Sequence, residues 1–389
     1  EQREYAADEY EALDMPKVYD AVHFLQEVPW RVNRKVLEVA QRLFDADHGE
    51  AKLPRCPMDD LPPMPSDLST TNEEVKAFRK QNPDADKLPP EMAGRYDLVR
   101  AWKRKRAEDK RSALRNSSRW YSAQTTLQTA WDYAEHDRFY FPHMVDFRGR
   151  AYPIPTHLQP QGTQLAKGLL EFAEGRAITQ DSGGAGWLAI HLASSWGNDK
   201  WDFDRRIAWV EENREMWLSI AADPLADKSW ASCDKPFVAL AAILDWVGFL
   251  EQGFGYVSHL PVCVDGTCNG IQHLAAMTRD GVAGRQVNLT PNAAPEDIYQ
   301  TVADLLTEDL ERIRKAGGEQ GEYAEFWLEL TGGRIPRGLT KRPVMVLPYG
   351  GTREAFYTYT KEWLDENSPQ VDDRDLTEAE RIIAYTVQC

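Results

Sequence analysis

The spacing of apolar positions along this chain is for the most part that of helices. Val18, Val22, Leu25 and Val28, then Val32, Val36, Val39, Leu43 and Phe44, recur every three or four residues, which puts their side chains on one helical face. Pro29 marks the break between two such helices. The proline-crowded stretch from Leu53 to Asp67 reads as an extended connector. Beyond it, Pro90 to Glu135 is a long polar stretch that predicts one or two extended helices. Residues 176–255 are helical in pattern, apolar and rich in Trp, which predicts core packing, and His191 within them reads as a core or surface residue rather than a ligand. Further on, a loop runs into a helix with Pro295, Glu296 and Asp297 in its first turn. The last segment is acidic and helical.

One stretch departs from this pattern. In Leu260 to Met277, a short apolar run (Pro261, Val262, Cys263, Val264) ends in Asp265, a tight Asp-Gly-Thr-Cys-Asn-Gly segment follows, and Ile271, Leu274 and Ala275 then take up helical spacing. The expectation is a buried strand, a turn and a helix, with a carboxylate at the end of the strand, where it can meet a metal or a substrate. An Asp-Gly after a strand is also an ordinary turn, so this stretch does not decide the matter alone.

Composition narrows the classes. With 389 residues, 42% of them hydrophobic, the chain can bury a large core and form two or three subdomains. A net charge of −16 argues against a uniformly basic nucleic-acid coat, though not against a local basic groove. The five cysteines are scattered without CxxC spacing, so neither a disulfide framework nor a zinc site is indicated and a reducing compartment is expected. No apolar run is long enough to span a bilayer and no signal peptide opens the chain. Its start at Glu1 rather than Met implies that upstream residues have been removed.

Within the acidic whole, Lys103, Arg104, Lys105, Arg106, Lys110, Arg111, Arg115 and Arg119 cluster in the long polar stretch. A solvated helix face and a contact with a nucleic-acid backbone both fit such a cluster. Around Gly149, Arg148 and Arg150 stand beside Asp146, which suits a clamp for a phosphate or strand backbone as well as a structural ion pair in a loop. Lys167 follows in an expected amphipathic helix with Leu165, Leu169, Leu170 and Phe172.

A second segment with chemical character is Arg337 to Gly350, RGLTKRPVMVLPYG. Arg337, Lys341, Met345 and Tyr349 are spaced by four throughout, which on a helix places them on successive turns of one slowly drifting face. Two cations near one end can grip a triphosphate, and an aromatic ring against a glycine at the other can lie beside a base or sugar. Pro343 and Pro348 fall inside this segment. Pro343 would be tolerated in a first turn, whereas Pro348 would bend the helix and re-aim the ring of Tyr349.

Together these segments resemble the single-subunit, bacteriophage-type DNA-directed RNA polymerases, whose relatives work in mitochondria and chloroplasts. DGTCNGIQH from Asp265 to His273 resembles the family's motif A, RGLTKRPVMVLPYG its motif B, and DFRGR from Asp146 to Arg150 the element before the palm that touches the template–product hybrid. FPHMVDFRGRAYPI, PQGTQLAKGLLEF, AGRQVNL and the DIY at 297–299 add to the likeness. The resemblance implies an α/β (α+β), largely helical fold with a right-hand polymerase architecture of thumb, partial palm and the start of the fingers. It divides the chain into residues 1–49, a helical remnant of an N-terminal domain; 50–140, a thumb-like region with the basic cluster; 141–296, the first half of the palm with motif A; and 297–389, the start of the fingers with motif B.

The resemblance also implies nucleotidyl transfer with two Mg2+ ions. Asp265 would be a catalytic carboxylate bridging the metals, with the Gly266 carbonyl as a further ligand. Arg337, Lys341 and Arg342 would hold the triphosphate, with Lys341 and Tyr349 in catalytic positions. Tyr349, against Gly350, would sit by the ribose and base, and Tyr299 would line the nucleotide site. Arg148, Arg150, Lys167, Lys103, Arg104, Lys105 and Arg106 would contact nucleic acid. Related DNA polymerases carry a bulky glutamate soon after the motif A aspartate, but here Gly266, Thr267, Cys268, Asn269 and Gly270 leave room for a 2′-hydroxyl. RNA synthesis is therefore favoured over a family A-like DNA polymerase fragment, and the intact Asp265, Lys341 and Tyr349 argue against a non-catalytic relative that only binds nucleic acid or a polymerase.

Two-metal catalysis needs a second carboxylate, which the family takes from a His-Asp-Ser motif after motif B. Here the His-Asp dipeptide occurs upstream, at His136 and Asp137, followed by Arg138. The expected partners are thus a DNA template, the RNA product, nucleoside triphosphates and a second polypeptide that completes the metal site. The expected location is the host cytoplasm, or alternatively the mitochondrial matrix, with no membrane.

Overall fold

The computed structural model describes residues 15–57, 62–83, 87–146, 149–292 and 294–368. The described residues form two compact units that divide between Val262 and Cys263, with Lys200–Asp202 grouped with the second. Helices dominate both. The strands are short and pair two by two.

In the first unit, α1 (Pro16–Gln26) and α2 (Arg34–Ala46) are the expected two helices with their break at Pro29, and the break carries a short strand, β1 (Trp30–Val32). The break becomes a strand because Trp30, Arg31 and Val32 pair antiparallel with Phe172, Glu171 and Leu170. α2 starts where the Asn33 side chain accepts the Val36 N–H, at 3.2 Å, and it buries the predicted Val36, Val39 and Leu43. α1 buries none of its residues. After the connector, α3 (Ser66–Gln81) packs against the first half of α4 (Pro90–Tyr133). α4 is one uninterrupted helix of 44 residues, about 66 Å long at 1.5 Å per residue. Its second half turns Ala123, Leu127 and Ala130 into the core beside α2.

The core centres on α9 (Pro236–Gln252), surrounded by α5 (Gln164–Gly168), α6 (Gly184–Trp196), α7 (Phe203–Glu212) and α8 (Arg214–Ala222). From Pro236 to Ile243 every residue of α9 is buried, as expected of a helix apolar on all sides. α5 reaches it through Gly168, where a Cβ would lie 2.5 Å from the Phe237 carbonyl oxygen. Three indoles, Trp196, Trp209 and Trp217, meet with ring centroids 5.2 to 6.0 Å apart. The buried Trp217 donates its ring N–H to the Val210 carbonyl at 2.7 Å, which removes the cost of burying a lone donor. His191 lies on α6 and is buried in this core.

Two further ribbons complete the unit. β2 (His143–Val145) and β3 (Ala151–Pro153) form a hairpin, and β5 (Arg176–Ala177) pairs with β6 (Val257–Ser258). The helix expected to carry Lys167 stops at Gly168, and Leu170–Phe172 continue as β4. The amphipathic reading fails because pairing with β1 claims that apolar run.

The second unit contains α10 (Asn269–Thr278), α11 (Gly281–Gln286), α12 (Ile298–Ala316), α13 (Gly318–Leu330), α14 (Arg337–Val346) and α15 (Arg353–Asn367). One small core joins α12, α13, α14 and α15 through Leu306, Leu310, Trp327, Leu339 and Leu364. A second one, of Cys268, Val287, Tyr299 and Val344, joins the turn before α10 to α12 and α14. None of the helices among the described residues is long and apolar enough to cross a membrane.

Candidate active site

The buried strand expected before Asp265 is not formed. Pro261 and Val262 are half-buried, Val264 is 81% exposed, and no described strand pairs with them. Pro261 has no N–H to give a ladder, and a lone extended segment gains nothing without a neighbour. After it the chain bends at Thr267. Asp265 is exposed, with Oδ1 accepting the Gly266 N–H at 2.9 Å. Cys268 then adopts a left-handed conformation, φ +51°, and opens α10. Asn288, itself left-handed at φ +57°, ties this turn down by donating to the Thr267 hydroxyl at 3.1 Å and to the Glu296 carbonyl at 2.8 Å. Gln272 adds a bond to the Val287 carbonyl at 2.8 Å.

The motif B segment is a helix followed by a tighter turn. α14 ends at Val346, and Leu347–Tyr349 form a single 3₁₀ turn closed by Gly350 at φ +81°. Pro348 lies in that turn and accounts for the change of pitch, since its ring cannot donate the next helical bond. Pro343 is not in the first turn of α14 but seven residues in, and it is buried. Tyr349 therefore does not continue the face of Arg337 and Lys341 in α-helical register, and its ring is 63% exposed.

The two segments touch at Gly270. A Cβ there would stand 2.8 Å from the Pro348 Cβ and 3.2 Å from a ring carbon of Tyr349, so only a glycine lets α10 lie so close to the end of motif B. The start of motif B is held from elsewhere. Arg337 gives its Nε to Asp297 at 2.5 Å and lies over the Tyr299 ring, 5.0 Å from its centroid. Thr340, fully buried, donates to the Tyr299 carbonyl at 2.7 Å. Tyr299 is itself buried in the small core with Cys268; burial first, and then the neighbouring Cys268 thiol, push its phenol above the ordinary range.

The three motif B cations thus differ. Arg337 is bound to Asp297, and Arg342 pairs with Glu362 and lies 5.4 Å from the centroid of Tyr359. Lys341 is exposed and has no hydrogen-bond or ion-pair partner among the described residues. It is the cation most open to an anionic ligand. The sequence alone places Asp297 in the first turn of its helix and in the DIY likeness, without a role for its side chain. It is the cap, accepting the Tyr299 N–H at 3.1 Å. An Asp ahead of an apolar helical run is a signal for that, but its bond to Arg337 spans 40 residues and leaves no local trace.

In the first unit, Asp146, Gly149 and Arg150 of the DFRGR segment lie between β2 and β3. Asp146 and Arg150 exchange bonds across it, Asp146 N–H to the Arg150 carbonyl at 2.9 Å and Arg150 N–H to Oδ1 of Asp146 at 3.0 Å. Gly149 at φ +77° makes the turn. Arg148 lies outside the described residues. Arg150 and Lys167 are exposed. In the α4 cluster, Lys103 donates to Asn72 at 2.6 Å and lies over Tyr96, and Arg106 lies over Trp102. Arg104 and Lys105 point into solvent without a partner among the described residues. The cluster is thus divided between structural and open cations.

No group of three or more His, Cys, Asp or Glu side chains that would hold a metal occurs among the described residues. Asp265 and the Gly266 carbonyl are hard oxygen donors of the kind Mg2+ takes, but one carboxylate does not complete a two-ion site.

Residues 179–388 match the family model for DNA-dependent RNA polymerase. T7 RNA polymerase of Escherichia phage T7 is 34% identical over 382 residues, covering 93% of this chain and 40% of that protein. The DNA-directed RNA polymerase of Enterobacteria phage K11 is 35% identical, covering 88% of this chain and 37% of that protein. The mitochondrial DNA-directed RNA polymerase of Schizosaccharomyces pombe is 31% identical, covering 96% and 29%. The chain belongs to the phage-type DNA-dependent RNA polymerase family, and its largely helical α/β fold is that expected of this polymerase architecture. It spans less than half the length of these relatives.

Proposed function

We propose that this chain is part of a DNA-directed RNA polymerase, in which the second unit takes a nucleoside triphosphate and presents it for template-dependent transfer. The observation that carries this reading is the contact of Gly270 with Pro348 and Tyr349, because it joins the turn bearing Asp265 to the segment bearing Lys341. In this reading Asp265 and the Gly266 carbonyl contribute ligands to Mg2+, and bound metal would polarise the reacting phosphate. Lys341, with Arg337 and Arg342, receives the triphosphate charge. Tyr349, beside Gly350, stands by the ribose and base, and Tyr299 supports the nucleotide site from beneath. The small residues after Asp265 leave space for ribose.

Arg148, Arg150, Lys167 and the open cations of α4, Arg104 and Lys105, take the nucleic-acid backbone; Lys103 and Arg106 join them where their structural contacts allow. We assign residues 1–49 to an N-terminal remnant, 50–140 to a thumb, 141–296 to the palm and 297–389 to the fingers. The second carboxylate comes from outside the described residues, either from a second polypeptide or from further length of the same chain. The host cytoplasm or the mitochondrial matrix would supply the template.

The test is to purify the native complex through this chain and assay magnesium-dependent incorporation of ribonucleotides on a DNA template. RNA synthesis is expected, and the composition of the active species identifies the source of the second carboxylate. A purified complex that binds template and incorporates neither ribo- nor deoxyribonucleotides would overturn the reading.

A further inference from the structure

We propose that Asp297 is a positioning residue that presets Arg337 as a ligand for the polyphosphate of the incoming nucleotide. The inference rests on the reading of Arg337 as a triphosphate cation. It starts from the division of labour within one carboxylate. Oδ1 caps α12, accepting the N–H groups of Tyr299 at 3.1 Å and Gln300 at 3.4 Å. Oδ2 takes the Nε of Arg337 at 2.5 Å. A single side chain thereby fixes the first turn of α12 to the first turn of α14.

Two further contacts make this junction rigid. Thr340, one turn along α14 from Arg337, donates to the Tyr299 carbonyl at 2.7 Å, and the guanidinium rests on the Tyr299 ring with 5.0 Å to the centroid. Cys268 packs with Tyr299 in the same small core. The pair is only partly open to water, with side-chain exposures of 30% for Arg337 and 22% for Asp297, so solvent screens it less than a surface pair.

The geometry of the bond matters more than its presence. Asp297 engages Arg337 through Nε, and Nη1 and Nη2 have no partner among the described residues. The guanidinium is held at its stem while its outer N–H groups stay available for phosphate oxygens. A free arginine loses considerable rotamer freedom on binding, whereas one already pinned has lost it before the ligand arrives. Pinning therefore favours capture of the polyphosphate and leaves the reacting atoms untouched.

The test is steady-state nucleotide incorporation by the complete polymerase carrying wild-type chain, Asp297→Asn or Asp297→Ser. Asn and Ser cap helices as Asp does, so both variants keep the cap and lose the charge. The expected result is a rise of about ten-fold in nucleotide KM with a much smaller change in kcat, and an unchanged thermal midpoint. In an Arg337→Gln background the same substitutions should add nothing. An unchanged KM in both neutral-cap variants, or a full effect in the absence of Arg337, would overturn the positioning role. Failure of the wild-type complex to incorporate nucleotides would overturn the polymerase reading and this inference with it, an outcome distinct from a working enzyme indifferent to Asp297.

Discussion

In the first unit α9 buries ten of its residues, from Pro236 to Val247, and its N-terminus at Lys235 has no side-chain cap. In the second unit α14 buries four residues, and the segments around it are held by polar pins. Asp280 caps α11, Asp297 caps α12, Thr352 caps α15, and Asn288 fastens the turn after Asp265. The same unit exposes Val264, Met277, Val282 and Tyr349, at 63 to 81% each. Packing supplies stability where nothing has to be reached. Polar pins set geometry where side chains must stay open to a ligand, at a cost in burial.

That contrast predicts two different responses to perturbation. The larger is a pH effect in the packed unit. Burial of His191, helped by the nearby Lys235 charge, pushes its imidazole down to about 4. Between the ordinary value of about 6.5 and that lower one, the unfolded chain takes up a proton that the folded protein refuses. The contribution is present in full above pH 6.5 and is lost as the pH falls toward 4, by about 3 kcal/mol in all. Denaturant unfolding at a series of pH values should show His191→Gln with a slope flatter than wild type over this window. Parallel slopes would mean that His191 does not refuse the proton.

The smaller response belongs to the pinned unit. Gly270→Ala gains about 1 kcal/mol of helix propensity in α10. The added methyl meets Pro348 at 2.8 Å, and overpacking of this kind costs about 1–3 kcal/mol. The second effect wins. The expected outcome is a net loss of about 1 kcal/mol in unfolding free energy together with a raised nucleotide KM. A variant more stable than wild type with normal KM would show that the contact between the two segments is slack.

The same contrast explains what could be read from the residues alone. The buried stripe of α2 and the Trp-rich core follow from the helical pattern and the long α4 from an extended polar stretch, because helices satisfy their backbone locally. The strand expected at Pro261–Val264 and the helix expected through Leu170 are not formed, because strand formation depends on a partner that can lie far along the chain. Asp265, Lys341 and Tyr349 stood out by residue type and spacing. Asp297, Glu362 and the part played by Gly270 did not, since their partners lie 40, 20 and 78 residues away.

The most direct measurement is magnesium-dependent RNA synthesis by the purified complex with Asp265→Asn in place of wild-type chain, alongside template binding. Asn keeps the size of the side chain and removes its charge. Synthesis should be abolished while template binding stays within about two-fold of wild type. RNA synthesis at the wild-type rate would contradict it, because the exposed carboxylate after Val264 would then have no part in the chemistry.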